Sequence, residues 1–240
     1  MLKRFLSVIL FLLLTPFNSF TASTEALAIL NGAKYPQGFL WGTAVAEWQN
    51  SGSANCGESN WSEFEKQTHK NGQPTIKGGQ KSGKACDSWN NIDRDLNYME
   101  QVQLNSYRFS LSWEAIEPRP GEYNQEAIDH YHQVIDGALA RNIQPMITLH
   151  HFVHPAWFQK LGAFEKQENI AIFTAFAEKM FNEYSNKVKL WCVINEANVS
   201  GFQCYIYGAF PPAKARHFSL AATVLRNVNS NSKCNFLHFN

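Results

Sequence analysis

Lys189-Leu190-Trp191-Cys192-Val193-Ile194-Asn195-Glu196 is the stretch on which the fold turns. Five consecutive apolar residues, too few for a helix of ordinary length, read as a strand buried on both faces, and such strands belong to parallel sheets. The run then ends on an amide and an acid. Working outward, three more apolar runs of strand length precede it: Gly38 to Ala46, Ser106 to Leu111 with Tyr107, Phe109 and Leu111 on one face, and Gln144 to His150. Between them apolar residues recur at helical spacing, first Ile92, Leu96 and Met99, then Ile128, Tyr131, Ile135 and Leu139, then Ile172, Phe173, Phe176, Met180 and Tyr184. Strands alternating with amphipathic helices define a parallel sheet wrapped by crossover helices.

Four strands consume the chain from about Gly38 to Asn195, and eight at that pace need roughly twice the length. The expected fold class is therefore α/β, the first half of a (β/α)8 TIM barrel with about four βα units, truncated. A small open doubly wound sheet is the alternative, but Gly42-Thr43-Ala44-Val45 lacks the further glycines of a nucleotide-binding turn. A half barrel leaves strand edges unpaired, so the isolated chain is expected to be marginally stable or to self-associate.

The polar segment from Cys56 to Gly83 reads as a surface excursion after strand one. A further helix begins near Phe218, where Ala221, Ala222, Leu225 and Val228 keep the period, and from Asn227 the period fails. Residues 29–228 are read as one partial (β/α)8 domain and 229–240 as an aberrant or disordered tail. At the other end, Lys3 and Arg4 precede an apolar run from Phe5 to Phe17, shorter than a membrane span needs, with small residues at Ala22-Ser23 and Ala26-Leu27-Ala28. This reads as a secretory signal over residues 1–28, making the product secreted or periplasmic with no stable membrane insertion after cleavage; an uncleaved anchor is the alternative.

With 21 basic and 20 acidic residues and no basic cluster, the chain has no electrostatic footprint for nucleic acid. Its 14% aromatic content suits either a packed core or a cleft that stacks on sugar rings. The five cysteines are odd in number and irregular in spacing, so at most two pairs form.

In a (β/α) barrel the chemistry gathers at the carboxyl ends of the strands. Those ends carry Glu47-Trp48-Gln49, His150-His151 and Asn195-Glu196, with Arg108 inside strand two. An acid at the tip of a buried apolar strand is costly unless paired or used, so Glu196 is either a functional group or a structural carboxylate bonded to Arg108. His150, His151 and His154 invite a metal-site reading, but neighbouring strand residues point to opposite faces and no further ligand follows at metal spacing, so no metal is expected. His150 reads instead as a packed core histidine.

These residues resemble glycoside hydrolase family one, typified by β-glucosidases and 6-phospho-β-glycosidases, from Tyr35 to about Val228. Phe39-Leu40-Trp41-Gly42-Thr43-Ala44, Tyr107-Arg108-Phe109-Ser110-Leu111-Ser112-Trp113, Thr148-Leu149-His150-His151-Phe152 and Asn195-Glu196 are similar to four of its signatures. The resemblance implies a retaining β-glycosidase that needs no cofactor. It makes Glu196 the acid/base and gives Gln49, His151, Phe152 and Asn195 to the sugar of a β-glycoside or oligosaccharide, with Arg108 supporting.

Ala197 stands where the family has proline, Asn50-Ser51 replace Ile-Glu, and Val153 and His154 replace Asp-Leu. The family's nucleophile, a glutamate in a Thr-Glu-Asn-Gly run, has no counterpart in these residues, which leaves room for a complementing carboxy-terminal half. Retaining hydrolysis needs two carboxyls about 5 to 5.5 Å apart, so the chain alone is expected to be inactive or impaired. A second carboxylate would also help keep Glu196, read as held in an apolar barrel mouth, in its protonated form. The competing reading is a secreted carbohydrate-binding relic that presents Gln49, His151, Trp157 and Asn195.

Overall fold

The computed structural model describes residues 35–232, with side chains to 229. The expected signal segment, most of the expected tail and Cys234 lie outside the described residues. Two compact units divide at Phe39 and Leu40, and the second carries the sheet, its helices and the site.

Its sheet has four parallel strands in sequential order, β1 (Gly42–Ala44), β2 (Ser106–Ser110), β3 (Gln144–His150) and β4 (Leu190–Ile194). A short helix α1 (Glu47–Ser51) follows β1; the crossovers are α2 (Ser88–Gln101), α3 (Gln125–Ala140) and α4 (Ile170–Tyr184). After β4 come α5 (Ala197–Gly201), a wider π-helical turn over Phe202–Tyr207, and α6 (Phe218–Ser232). The strand-helix alternation stands as read from the sequence.

Strand one is shorter than the run Gly38 to Ala46. Gly38 has φ of 80°, and Leu40 and Trp41 remain exposed; three residues pair in register with β2, flanked by Ser106 N–H on the Trp41 carbonyl and Val45 N–H on the Arg108 carbonyl. Gly42 is the close approach: a Cβ there would lie 2.5 Å from the Ser106 carbonyl oxygen. At the other end, α6 continues past Asn227 to Ser232 although the apolar period fails there. The amide of Asn227 is buried and donates Nδ2 to the Phe164 carbonyl at 2.9 Å, so a polar contact holds the position.

The core lies between the sheet and the crossover helices. Phe109 of β2 stacks parallel to Tyr131 of α3, and Trp113 is enclosed by Trp157, Phe158, Phe173 and Phe176. Alternation along β2 therefore turns Arg108 to the face away from α3. That face meets the site.

Candidate active site

Arg108 crosses the sheet. Its Nε donates to Thr148 Oγ1 at 2.8 Å on β3, and its Nη2 donates to Asn195 Oδ1 at 2.6 Å just past β4, with Cys192 Sγ at 3.5 Å. The register aligns Thr148 with Cys192, so both stand in the guanidinium's path. Asn195 is buried, and its backbone N–H extends the ladder to the His150 carbonyl at 2.9 Å. With Oδ1 taken by Arg108, the Asn195 amide keeps its Nδ2 donors for another partner.

Glu196 follows with φ of 43° and ψ of 58°, a left-handed conformation unusual for a residue with a Cβ. The sequence reading set it in an apolar mouth, but it is exposed, because the four strands wall only one side of it. None of the Arg108 bonds goes to Glu196, so the structural ion pair offered as an alternative for that carboxylate is not made.

Gln49, His151 and Phe152 line one cavity of about 410 Å³, together with Trp48, Trp61 and Phe210. That volume suits a small organic ligand. Its walls are mostly apolar, with Trp61 edge-on to Phe210 at 5.0 Å and Phe152 edge-on to the same ring at 5.7 Å. Burial and the positive charge of Arg108 push the His151 imidazole down to about 4, so it is neutral at ordinary pH. Its Nδ1 is buried without a protein partner. Asn195, Glu196 and Arg108 are not among this cavity's lining residues, and neither is Trp157, whose Nε1 donates to the Glu117 carbonyl at 3.0 Å.

The neighbouring histidines separate. His150 turns into a second cavity of about 30 Å³ with His154 and packs edge-on against Phe164 and Phe173. His154 Nε2 donates to Gln159 Oε1 at 3.0 Å, which leaves His154 Nδ1 to accept from His150 Nε2 at 3.2 Å. Burial holds both rings well below the ordinary histidine range. Among the described residues no group of three His, Cys, Asp or Glu side chains could hold a metal ion, and the four described cysteines are unpaired.

Two features escaped the sequence. Trp61 and Phe210 come from connecting segments and carry no periodic signal. Glu47, grouped with the strand tips, is buried instead, its N–H donating to Ser110 Oγ at 2.8 Å. Burial pushes its carboxyl up to about 7, and that of buried Glu114 up to about 8.

Four consecutive βα units, with an amide, an acid and an imidazole at the carboxyl ends of the strands and a guanidinium within the second, build half of a (β/α)8-barrel scaffold. The Glycosyl hydrolase family 1 profile matches residues 31–235, and the chain belongs to that family. It is 32% identical over 204 residues to the 1,4-beta-D-glucan glucohydrolase of Thermotoga neapolitana, covering 83% of this chain and 47% of the relative. Human cytosolic beta-glucosidase is 36% identical over 183 residues, 74% of this chain and 38% of the relative. The family 1 β-glucosidase of Thermotoga maritima superposes with a TM-score of 0.77 at 30% identity, over 83% of this chain and 44% of that one. The chain thus spans a little under half the length of these relatives.

Proposed function

We propose that this chain supplies the acid/base half of a retaining β-glycosidase, with Glu196 as the proton donor to the leaving oxygen. The observation that carries the reading is the Arg108–Asn195 contact of 2.6 Å beside Glu196. It fixes an amide whose free donors face a sugar hydroxyl, next to a carboxyl that reaches the glycosidic oxygen. Gln49 and His151 bind the glycone, and Phe152 stacks on its apolar face in their shared cavity. Glu196 protonates the leaving group, then removes a proton from the water that hydrolyses the glycosyl intermediate.

The attacking carboxylate comes from polypeptide beyond these 240 residues, since the sequence holds no Thr-Glu-Asn-Gly run. The 240 residues alone therefore do not turn over β-glycosides. The test is co-expression with a chain carrying the last four βα units of a family 1 β-glucosidase. Aryl β-glucoside hydrolysis is expected only in the mixture and is abolished there by Glu196→Gln. Release of the phenol by the 240 residues alone, lost in Glu196→Gln, would overturn the division of labour.

A non-catalytic carbohydrate-binding role is favoured by one observation: the 410 Å³ cavity is built without Glu196. Saturable calorimetric binding of a β-glucoside, with no hydrolysis even in the mixture, would select it. Export through the segment from Lys3 to Ala28 is part of the same reading, and amino-terminal sequencing of protein recovered outside the cell tests it.

A further inference from the structure

We infer that Glu47 is a positioning residue for the sugar cavity, acting through the one-turn helix α1 to set Trp48 and Gln49. It rests on the reading of Gln49 as a glycone ligand. Glu47 and Gln49 stand on opposite sides of α1, since two steps along a helix turn about 200°. Trp48 and Gln49 line the 410 Å³ cavity. Glu47 turns the other way, into a separate cavity of about 10 Å³ that it lines with Ser51, Ser88, Trp89, His130 and Tyr131. Those residues belong to α1, α2 and α3, so Glu47 is enclosed by the chain's own first helices.

Few contacts fix α1 itself. It has five residues and no side-chain bond at its amino end. The Glu47 N–H donates to Ser110 Oγ at 2.8 Å, and Cys86 N–H donates to the Asn50 carbonyl at 3.0 Å. The packing of its inward face therefore decides where its outward face stands.

A neutral carboxyl suits that inward face. Ser51, one turn on along the same side, is fully buried and its Oγ closes no hydrogen bond; the protonated carboxyl beside it has an O–H to offer. A charged carboxylate does not suit it. Cys56 after α1, Tyr107 of β2, Glu114 after β2 and Tyr131 of α3 act on the same pocket, and all are acids that can only add like charge. His130 of α3 stacks on Trp89 at 3.8 Å and is held neutral by burial, while Asp95 of α2 is paired with Arg94. A cavity of that size admits about one water, too little to hydrate a carboxylate. Ionisation thus draws Glu47 toward solvent, and α1 carries Trp48 and Gln49 with it. Burial raises this carboxyl to about 7, so the sugar cavity is set below that pH and loosened above it.

Amide NMR of the 240-residue chain from pH 6 to 9, with calorimetry on methyl β-glucoside, tests this. The Trp48, Gln49 and Asn50 amides should shift with a midpoint near pH 7 while those of β4 stay. Affinity should fall about tenfold from pH 6 to 8, following the protonated fraction of a group at about 7. Glu47→Gln, the isostere of the neutral carboxyl, should hold the pH 6 shifts and affinity at pH 8. Glu114→Gln should keep the wild-type pH dependence, which separates Glu47 from its buried neighbour.

α1 amides that ignore pH overturn the inference, as does a Glu47→Gln chain that titrates like the wild type. So does an affinity that stays level while α1 moves, and so do β4 amides that shift together with α1, the mark of global unfolding. Titrating α1 amides with no β-glucoside binding at any pH support the positioning of α1 and overturn instead the glycone reading of Gln49.

Discussion

Arg108, on the second strand, donates Nη2 to the side-chain oxygen of Asn195 past the fourth at 2.6 Å, tying the middle of the sheet to the residue before Glu196. The same guanidinium donates to Thr148, so it braces three strands at once.

Removing it leaves the buried Asn195 carbonyl oxygen without its donor. Arg108→Ala should lower unfolding free energy by about 1.5–3 kcal/mol, the range for hydrogen bonds to a charged group. Urea denaturation followed by tryptophan fluorescence measures it. Arg108→Lys recovers little, because one ammonium cannot reproduce the planar fork that serves Thr148 and Asn195 together. A wild-type midpoint in Arg108→Ala would show that the brace carries no stability.

The cavity shared by Gln49 and His151 predicts which substitutions weaken sugar binding. Gln49→Ala and His151→Ala should each reduce calorimetric affinity for methyl β-glucoside about tenfold, the worth of one well-made polar contact. Trp157→Phe should leave it unchanged, since Trp157 is engaged with the Glu117 carbonyl outside that cavity. Equal losses in all three variants would mean a disturbed fold.

What the sequence disclosed follows from what a linear pattern can carry. The runs at Gln144 and Leu190 announce parallel strands by their near-continuous apolar residues, and the run at Ser106 by the alternation of Tyr107, Phe109 and Leu111. The parting of His150 from His151 was legible because neighbouring strand residues face opposite ways. Leu40 and Trp41 look like strand core in one dimension; that they stay exposed depends on β1 being an edge, which no local pattern states. Trp61 and Phe210 meet across roughly 150 residues, and only the folded chain brings them to one cavity. The burial of Glu47 was missed because a polar residue at a strand tip normally reads as open to the site.

That buried carboxyl and the neutral histidines set opposite limits on stability against pH. His130, His151 and His154 are held near 4, and His150 well below its ordinary value, chiefly by burial. Unfolded histidines titrate near 6.5, so the unfolded chain binds more protons there and stability falls as pH drops from 6.5 toward 4. Glu47 and Glu114 work the other way. Their folded values of about 7 and 8 stand above the ordinary 4.5, so the folded chain holds protons that the unfolded chain releases, and stability falls as pH rises from 4.5 to 8. Four histidines outweigh two carboxyls between 4.5 and 6.5, which puts the maximum near pH 6.5. Thermal melting from pH 4 to 9 checks this, and Glu47→Gln should flatten the alkaline limb. A midpoint that climbs steadily from pH 6.5 to 8 would contradict it.

Trp113 anchors the core beneath this face. It is 1% exposed, touches four aromatic rings and donates Nε1 to Glu117 Oε2 at 2.7 Å. Trp113→Phe keeps most of the packing and loses the hydrogen bond, so it should cost about 1–3 kcal/mol; Trp113→Ala adds a cavity and should cost about 3–5 kcal/mol. Denaturant midpoints that fall in that order support the packing.

Glu196 stands in a left-handed conformation that costs a residue with a Cβ roughly 1–2 kcal/mol. Asparagine enters that region more readily, because its short side chain bonds the local backbone. The Glu196 carboxylate is exposed, so its removal strands no buried partner. Glu196→Asn should therefore raise unfolding free energy by about 0.5–1 kcal/mol while ending hydrolysis in the completed barrel, since an amide cannot deliver the proton. A Glu196→Asn chain less stable than wild type would show that the carboxylate makes a stabilising contact and that the backbone there is not strained.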